Sequence, residues 1–326
     1  MGRARRTMAL TGVALTTAVA LTACSSTDDG GASDTAQVSV VASTNVWGSV
    51  AEAVAGEHAT VTAIIDEPSA DPHSFEASPA DAAAITDASL VVYNGGGYDK
   101  FVDDVLGGSG SAIPAVDAFS LAERAADTPE EAAADDDGHD DHDDHAGHAH
   151  GSINEHVWYD TAVAGAMASA IAEQLAGIDP ANAAAYTANA ETFRAQLTDV
   201  DAVIASIAAD DADAVVVQSE PIAHYLIEAA RLDNATPAEF ERAMENGTDP
   251  SPAAITETLA LMGDKRVRAL IYNVQTQDDV SQNLRATAEE SGIPVVEVTE
   301  TLPENTDYIT WITAAAQSLG RALQSS

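Results

Sequence analysis

Histidine and carboxylate are the side chains whose spacing could do chemistry in this chain, and they crowd into one stretch. Six of the nine histidines lie between Asp135 and Asp160, in DDDGHDDHDDHAGHAHGSINEHVWYD. Five of them, His139, His142, His145, His148 and His150, are interspersed with seven aspartates and four small residues, with nothing apolar larger than alanine. A segment of that composition cannot bury a core, so 127–152 is expected to be a solvated, disordered loop. Neutral imidazoles and carboxylates suit borderline divalent cations such as zinc. A merely solubilising acidic loop would leave the clustered imidazoles unexplained, so these five histidines are read as an auxiliary metal-binding loop. His156 is different: it follows the loop in Glu155-His156-Val157-Trp158-Tyr159-Asp160, a stretch with enough apolar surface to be ordered.

The elements that must position such residues read as α/β. In the first half, strands are expected at Val38–Ala42, Val61–Ile65, Leu90–Tyr93 and Ile113–Val116. Between them come a helical stretch through Val46, Val50 and Val54 ending near Gly56, then helices at Pro79–Thr86 and Asp99–Leu106, with Asn94-Gly95-Gly96-Gly97 as a turn. Asp160 can cap a helix from Thr161 to Ala176, and Asp179-Pro180 starts another. Along that second helix Tyr186, Phe193, Leu197, Val200, Ile204 and Ile207 keep to one face. It sits between two α/β halves, which makes it a candidate backbone joining them. The second half repeats the grammar, with strands at Ala214–Val217, Ala269–Val274 and Pro294–Val298. Helices are expected there at Ile222–Leu232, up to Met262, at Val280–Ser291 and at Tyr308–Leu323.

Alternating strands and helices imply parallel sheets, and in such sheets ligands bind beyond the carboxyl ends of the strands. His73 falls there in the first half. Gln218-Ser219-Glu220 and Thr299-Glu300-Thr301 each follow a strand in the second. Four candidate ligands result: His73, His156, Glu220 and Glu300. His224, one turn after Glu220, is read as a helix-face or supporting residue, and Asp278 or Asp279 as a helix cap.

The first 23 residues read as an export signal, with Arg3, Arg5 and Arg6 ahead of an apolar run from Met8 to Ala20. Leu21-Thr22-Ala23-Cys24 resembles a bacterial lipobox, so Cys24, the single cysteine, is expected to be lipidated and 24–37 to be a disordered tether. No second apolar span is expected, which makes the protein anchored to the outer face of a membrane without crossing it. Loss of the three leader arginines takes the formal charge from −40 to −43. So acidic a body excludes nucleic acid as a partner and is compatible with attracting cations.

Several motifs together resemble one family, the metal-binding receptors of bacterial ABC importers for zinc and manganese (the cluster A-I solute-binding proteins). Val40-Val41-Ala42-Ser43-Thr44 is similar to its first strand. Asp71-Pro72-His73-Ser74-Phe75-Glu76 with Pro79-Ala80-Asp81, the Asn94–Gly97 turn, and Asn154-Glu155-His156-Val157-Trp158 resemble its other signatures, with Glu155 standing where proline is usual. The resemblance implies two α/β lobes with parallel sheets joined by one long backbone helix: an N-terminal lobe at 38–178, the helix at 179–210 and a C-terminal lobe at 211–326. It further implies a metal clamped between the lobes by His73 and His156 from the first and Glu220 and Glu300 from the second. A permease of an ABC importer is the implied partner and a monomer the implied state.

Zinc is the expected cargo because five loop imidazoles suit it, and manganese is the alternative because two carboxylates suit that ion. An enzyme is not expected: the chain has neither Gly-x-Ser-x-Gly nor His-Glu-x-x-His, and four protein ligands leave no open position for catalysis. A metal buffer or adhesin, with the His-rich loop as its working part, is the remaining alternative.

Overall fold

Two runs of β-branched residues begin two sheets of the same topology. The computed structural model describes residues 37–67, 70, 72–110, 112–127 and 153–325. Cys24, the leader, the tether and the five loop histidines lie outside them.

The first half runs β1 (Val38–Thr44), α1 (Asn45–Ala55), β2 (Ala59–Ile65), α2 (Pro79–Asp87), β3 (Leu90–Tyr93), α3 (Lys100–Gly108), β4 (Ala115–Asp117) and α4 (Ala118–Ala126). Next come α5 (Thr161–Ile178) and the 28-residue α6 (Ala183–Asp210). The second half runs β5 (Val215–Gln218), α7 (His224–Ala229), β6 (Asp233–Asn234), α8 (Ala238–Glu245), α9 (Pro252–Gly263), β7 (Ala269–Asn273), α10 (Asp279–Ser291), β8 (Val295–Val298) and α11 (Tyr308–Ser325). All pairings are parallel, in the orders β2-β1-β3-β4 and β6-β5-β7-β8. The fold is thus two α/β lobes with a long helix between them in sequence. Each sheet reverses its winding beside its first strand, the place where parallel sheets open a crevice.

Local chemistry starts the helices where expected. Ser78 and Asp81 form a reciprocal capping box on α2, as Asp278 and Ser281 do on α10, and Asp160 accepts from the Ala162 and Val163 amides at the start of α5. The apolar face of α6 is buried throughout, from Tyr186 to Ile207. Some elements differ from expectation. The Asp179-Pro180 start is one turn of 3-10 helix before α6, and Ile222–Leu232 is a 3-10 turn at Pro221–Ala223 followed by the short α7. α4, β6 and α8 have no counterpart in the sequence reading. Each is short, and β6 has only two residues, below the length at which periodicity is visible. α5 is also long and apolar enough to cross a membrane by length and composition, which the sequence reading passed over. Here its Val163, Met167, Ile171 and Leu175 are buried against the rest of the protein.

The two lobes share a core. One cluster contains Val40 and Val92 of the first sheet, Val216, Ile271 and Val296 of the second, and the buried faces of α1, α5, α6 and α11. Polar links also cross between the halves. The Tyr159 hydroxyl donates to the Thr299 carbonyl at 3.0 Å, the Tyr308 hydroxyl to the Trp158 carbonyl at 2.7 Å, and Asn45 pairs with the Leu302 backbone in both directions.

The Asn94–Gly97 turn does more than reverse the chain. The Asp99 carboxylate accepts from the Asn94 and Gly95 amides at 2.6 and 2.8 Å, so it folds back on the turn and α3 begins only at Lys100. The Asn94 side chain accepts from Trp47 Nε1 at 3.1 Å and donates to the Glu155 carbonyl at 2.9 Å, tying β3 to the segment that carries His156. Gly95 has φ +76°, and a Cβ there would lie 2.2 Å from Asp117 Oδ1, the oxygen that caps α4 through the Ser120 amide. Gly95→Ala is therefore expected to cost about 2 kcal/mol, from left-handed strain and loss of the cap. A lower urea midpoint at unchanged slope would register it, and an unchanged midpoint would contradict the assignment.

Candidate metal centre

The four predicted side chains come together where the strands end. His73 lies in a 3-10 turn, Pro72–Ser74, after β2; His156 precedes another, Val157–Tyr159; Glu220 follows β5 and Glu300 follows β8. His73, His156 and Glu220 line one cleft of about 550 Å³. His73 Nε2 stands 3.8 Å from Glu300 Oε2, and the two imidazole centroids are 6.1 Å apart. Three of the four are buried, with His156, Glu220 and Glu300 at 2%, 6% and 1% exposure, while the His73 side chain keeps 30%.

Buried carboxylates need donors, and these have them. Asn273, at the end of β7, places its side-chain amide between the two glutamates: Nδ2 donates to Glu300 Oε1 at 2.8 Å and also to Glu220 Oε1. Thr276 donates to Glu220 Oε2 at 2.7 Å, and Tyr98, from the first half, donates to Glu300 Oε2 at 3.0 Å. Gln275 braces the following loop, accepting from the Glu300 amide and donating to Thr301 Oγ1 at 2.8 Å. All these donors are neutral. The cleft is also lined by Glu245, Asp249 and Asp278 and, among the described residues, by no lysine or arginine.

His156 is fixed by its own neighbours. Asn154 Oδ1 accepts from the His156 amide at 2.8 Å and lies 2.9 Å from Nδ1, while the ring meets Trp158 edge-on at 5.1 Å. Burial holds its imidazole well below the usual histidine range, with the His73 and His224 rings adding to the effect. It is therefore neutral at physiological pH, the form that can donate a lone pair.

Asn273, Tyr98, Thr276 and Gln275 were not singled out as site residues in the sequence, because hydrogen-bonding residues without charge or metal affinity leave no functional mark in a single sequence. Glu155 was seen only as an oddity beside His156. Its Oε1 is 3.6 Å from His73 Nδ1, and one donor atom each from His73, Glu155 and His156 lie within 4.8 Å of one another. His224 does not line this cleft. It faces a separate cavity with Tyr225 and Asp160 and lies 3.5 Å from Glu228, four residues on. Asp278 reaches the cleft rim, but its side chain caps α10.

Comparison with known proteins places this arrangement in context. The family model described as "Zinc-uptake complex component A periplasmic" (ZnuA) matches residues 40–322. A "Manganese-binding lipoprotein MntA" from Halalkalibacterium halodurans is 26% identical over 183 residues, covering 55% of this chain and 52% of the relative. The chain thus spans about half the length of that curated relative. Among solved structures, the "periplasmic zinc binding protein TroA" from Treponema pallidum superposes with a TM-score of 0.69 at 17% identity, over 88% of this chain and 99% of that one. The solute-binding protein FpvC from Pseudomonas aeruginosa, solved with Ni2+, does so with a TM-score of 0.66 at 20% identity, over 89% and 97%. These structural likenesses concern the fold.

The electrostatics of the cleft give a pH test. Burial pushes the Glu155 carboxyl from its ordinary 4.5 up to about 7, and the negative charges of Glu245, Asp99 and Glu220 push the same way. The native protein therefore binds a proton that the unfolded chain has released. This contribution to stability is full below about pH 4.5 and is lost as pH rises through about 7. In the metal-free protein, Glu155→Gln should gain stability relative to the parent by roughly 1–3 kcal/mol between those limits. Urea unfolding in chelator across that range measures it; parallel pH profiles for the two proteins would refute it.

Proposed function

The chain belongs to the ZnuA family of periplasmic zinc-uptake components, and from that premise we propose that it is an exported receptor that grips one divalent metal ion with His73, His156, Glu220 and Glu300. It is a receptor and not an enzyme, as its family is. What carries the reading is the convergence of two imidazoles from the first half with two buried carboxylates from the second on one cleft without a lysine or arginine among its described lining residues. Two neutral imidazoles, two carboxylates and a divalent cation sum to zero charge, which offsets the cost of taking the ion out of water.

Zinc is the cargo we favour. Each oxygen of Glu220 and Glu300 already accepts a hydrogen bond, from Asn273, Thr276 or Tyr98. A one-oxygen grip disturbs one donor per carboxylate and gives four-coordination, the geometry of zinc. A two-oxygen grip competes with both donors on each side. The histidines at 139, 142, 145, 148 and 150 supply further zinc-suited donors, proposed to collect the ion for this site. Manganese is the second reading, favoured by the two carboxylates and by the name of the manganese-binding relative. In either case the protein would be held to the membrane by a lipid on Cys24, act as a monomer and hand its ion to an ABC importer permease.

Titration of the chain lacking residues 135–150 with zinc and manganese in competition tests the assignment. One tight zinc equivalent is expected, weakened at least a hundredfold by His73→Ala or Glu220→Ala. Preference for manganese would move the cargo assignment, and absence of a tight site would return metal binding to the His-rich loop.

A further inference from the structure

His73 presents its two ring nitrogens to two different carboxylates. Nε2 lies 3.8 Å from Glu300 Oε2, and Nδ1 lies 3.6 Å from Glu155 Oε1. A neutral imidazole has one lone pair to give and one N–H to place, and the group facing the second nitrogen decides which is which. Glu300, joined through Asn273 to Glu220, marks the side from which cargo is held. Nε2 then carries the lone pair and Nδ1 carries the hydrogen, toward Glu155. The other histidine solves the same problem one residue away, since its Nδ1 lies 2.9 Å from Asn154 Oδ1. Two consecutive side chains, Asn154 and Glu155, thus face the Nδ1 atoms of both histidines.

We infer that Glu155 is the positioning residue of His73: its carboxylate takes the Nδ1–H, fixes the tautomer and the ring, and makes Nε2 a stronger donor to the ion. The inference rests on the reading of His73 as a metal ligand. Its partner in this role is a carboxyl group, ionised beside a bound cation, for a physical reason. His156 is buried and wedged against Trp158, so a neutral amide suffices to orient it. His73 is 30% exposed and packs edge-on against Tyr98 at 4.8 Å. A charge-assisted bond is about twice as strong as a neutral one and suits the more exposed of the two rings. The Glu155 backbone is held independently, its carbonyl accepting from Asn94 Nδ2 at 2.9 Å and from the Val157 amide at 2.8 Å. Side-chain rotation alone is needed to close 3.6 Å to a hydrogen bond of about 2.8 Å.

The competing geometry is direct ligation. Separations of 3.6 Å also suit two donors on one ion, and Glu155 could join His73 and His156 as a ligand through Nδ1 of His73. That would turn Nε2 away from the ion.

The two roles separate in solution, using the full chain. Zinc affinity by chelator competition, and the visible absorption of the cobalt(II)-loaded protein, are measured for the parent, Glu155→Ala and Glu155→Gln. Positioning predicts a 10–100-fold loss for Glu155→Ala. Glu155→Gln, whose amide oxygen still accepts the Nδ1–H, should lose less, and the cobalt spectrum should be the same in all three because the ligand set is the same. In a His73→Ala background the further change to Glu155→Ala should alter affinity by less than about threefold, since the residue acts through His73. An unchanged affinity for Glu155→Ala, or a cobalt spectrum altered in either variant, overturns the inference. If instead His73→Ala alone binds zinc like the parent, the ligand assignment itself has failed.

Discussion

Two carboxylates drawn from separate loops, Glu220 and Glu300, are buried on either side of one amide, Asn273. Like charges held together away from water are costly unless something compensates them. The protein compensates only in part. Asn273, Thr276 and Tyr98 donate hydrogen bonds without bringing charge, and the two imidazoles alongside bring none while neutral. Nearby, burial raises the Glu155 proton affinity, and the charges of Glu245, Asp99 and Glu220 add to it. On the proposed reading, a divalent cation settles the balance. The acidic body of the chain works in the same direction at longer range.

The fold makes that concentration of charge possible by lending it strand ends. Parallel strands finish together, so β2, β3, β5, β7 and β8 deliver His73, the Asn94–Asp99 turn, Glu220, Asn273 and Glu300 to a common edge. The turn then secures the segment that no strand delivers. Asp99 organises Asn94, Asn94 holds the Glu155 carbonyl, and Asn154 holds His156. Removing one of these polar links loosens a histidine without touching it.

Much of this was legible in the sequence, because strands and buried helix faces write themselves as periodic apolar runs. Leu90–Tyr93 was read to the residue, and every apolar position on the α6 face is buried. Glu220 and Glu300 could be singled out because a strand signal ends just before each, and His73 because it falls in the loop beyond one. The supporting residues could not. Asn273 was read as the penultimate residue of a strand, Tyr98 fell between a turn and a helix without an assignment, and Glu155 was read as a departure from a motif. Their roles depend on which loops of two separate sheets meet, and that is fixed by tertiary packing. The short α4, α8 and β6 were missed for a related reason: they are held by what they pack against, with too few residues to show a period.

The shared core bears on how the cleft can work. A receptor with two independent lobes can close like a hinge, with each lobe keeping its own hydrophobic interior. Here apolar residues of both sheets belong to one cluster with α6, and tyrosine hydroxyls of one half bond to carbonyls of the other. Opening such a structure widely would expose apolar surface at roughly 25 cal/mol for each square ångström. Motion is then cheapest in the parts outside that core: the 3-10 turn carrying His73, the Glu155 side chain and the loop bearing Thr276. His73 is the most exposed of the four candidate ligands and the one set by a side chain that must itself rotate to reach it. On the proposed reading, the more exposed imidazole is the ligand that turns as an ion enters or leaves, while the buried histidine and the two hydrogen-bonded carboxylates stay in place.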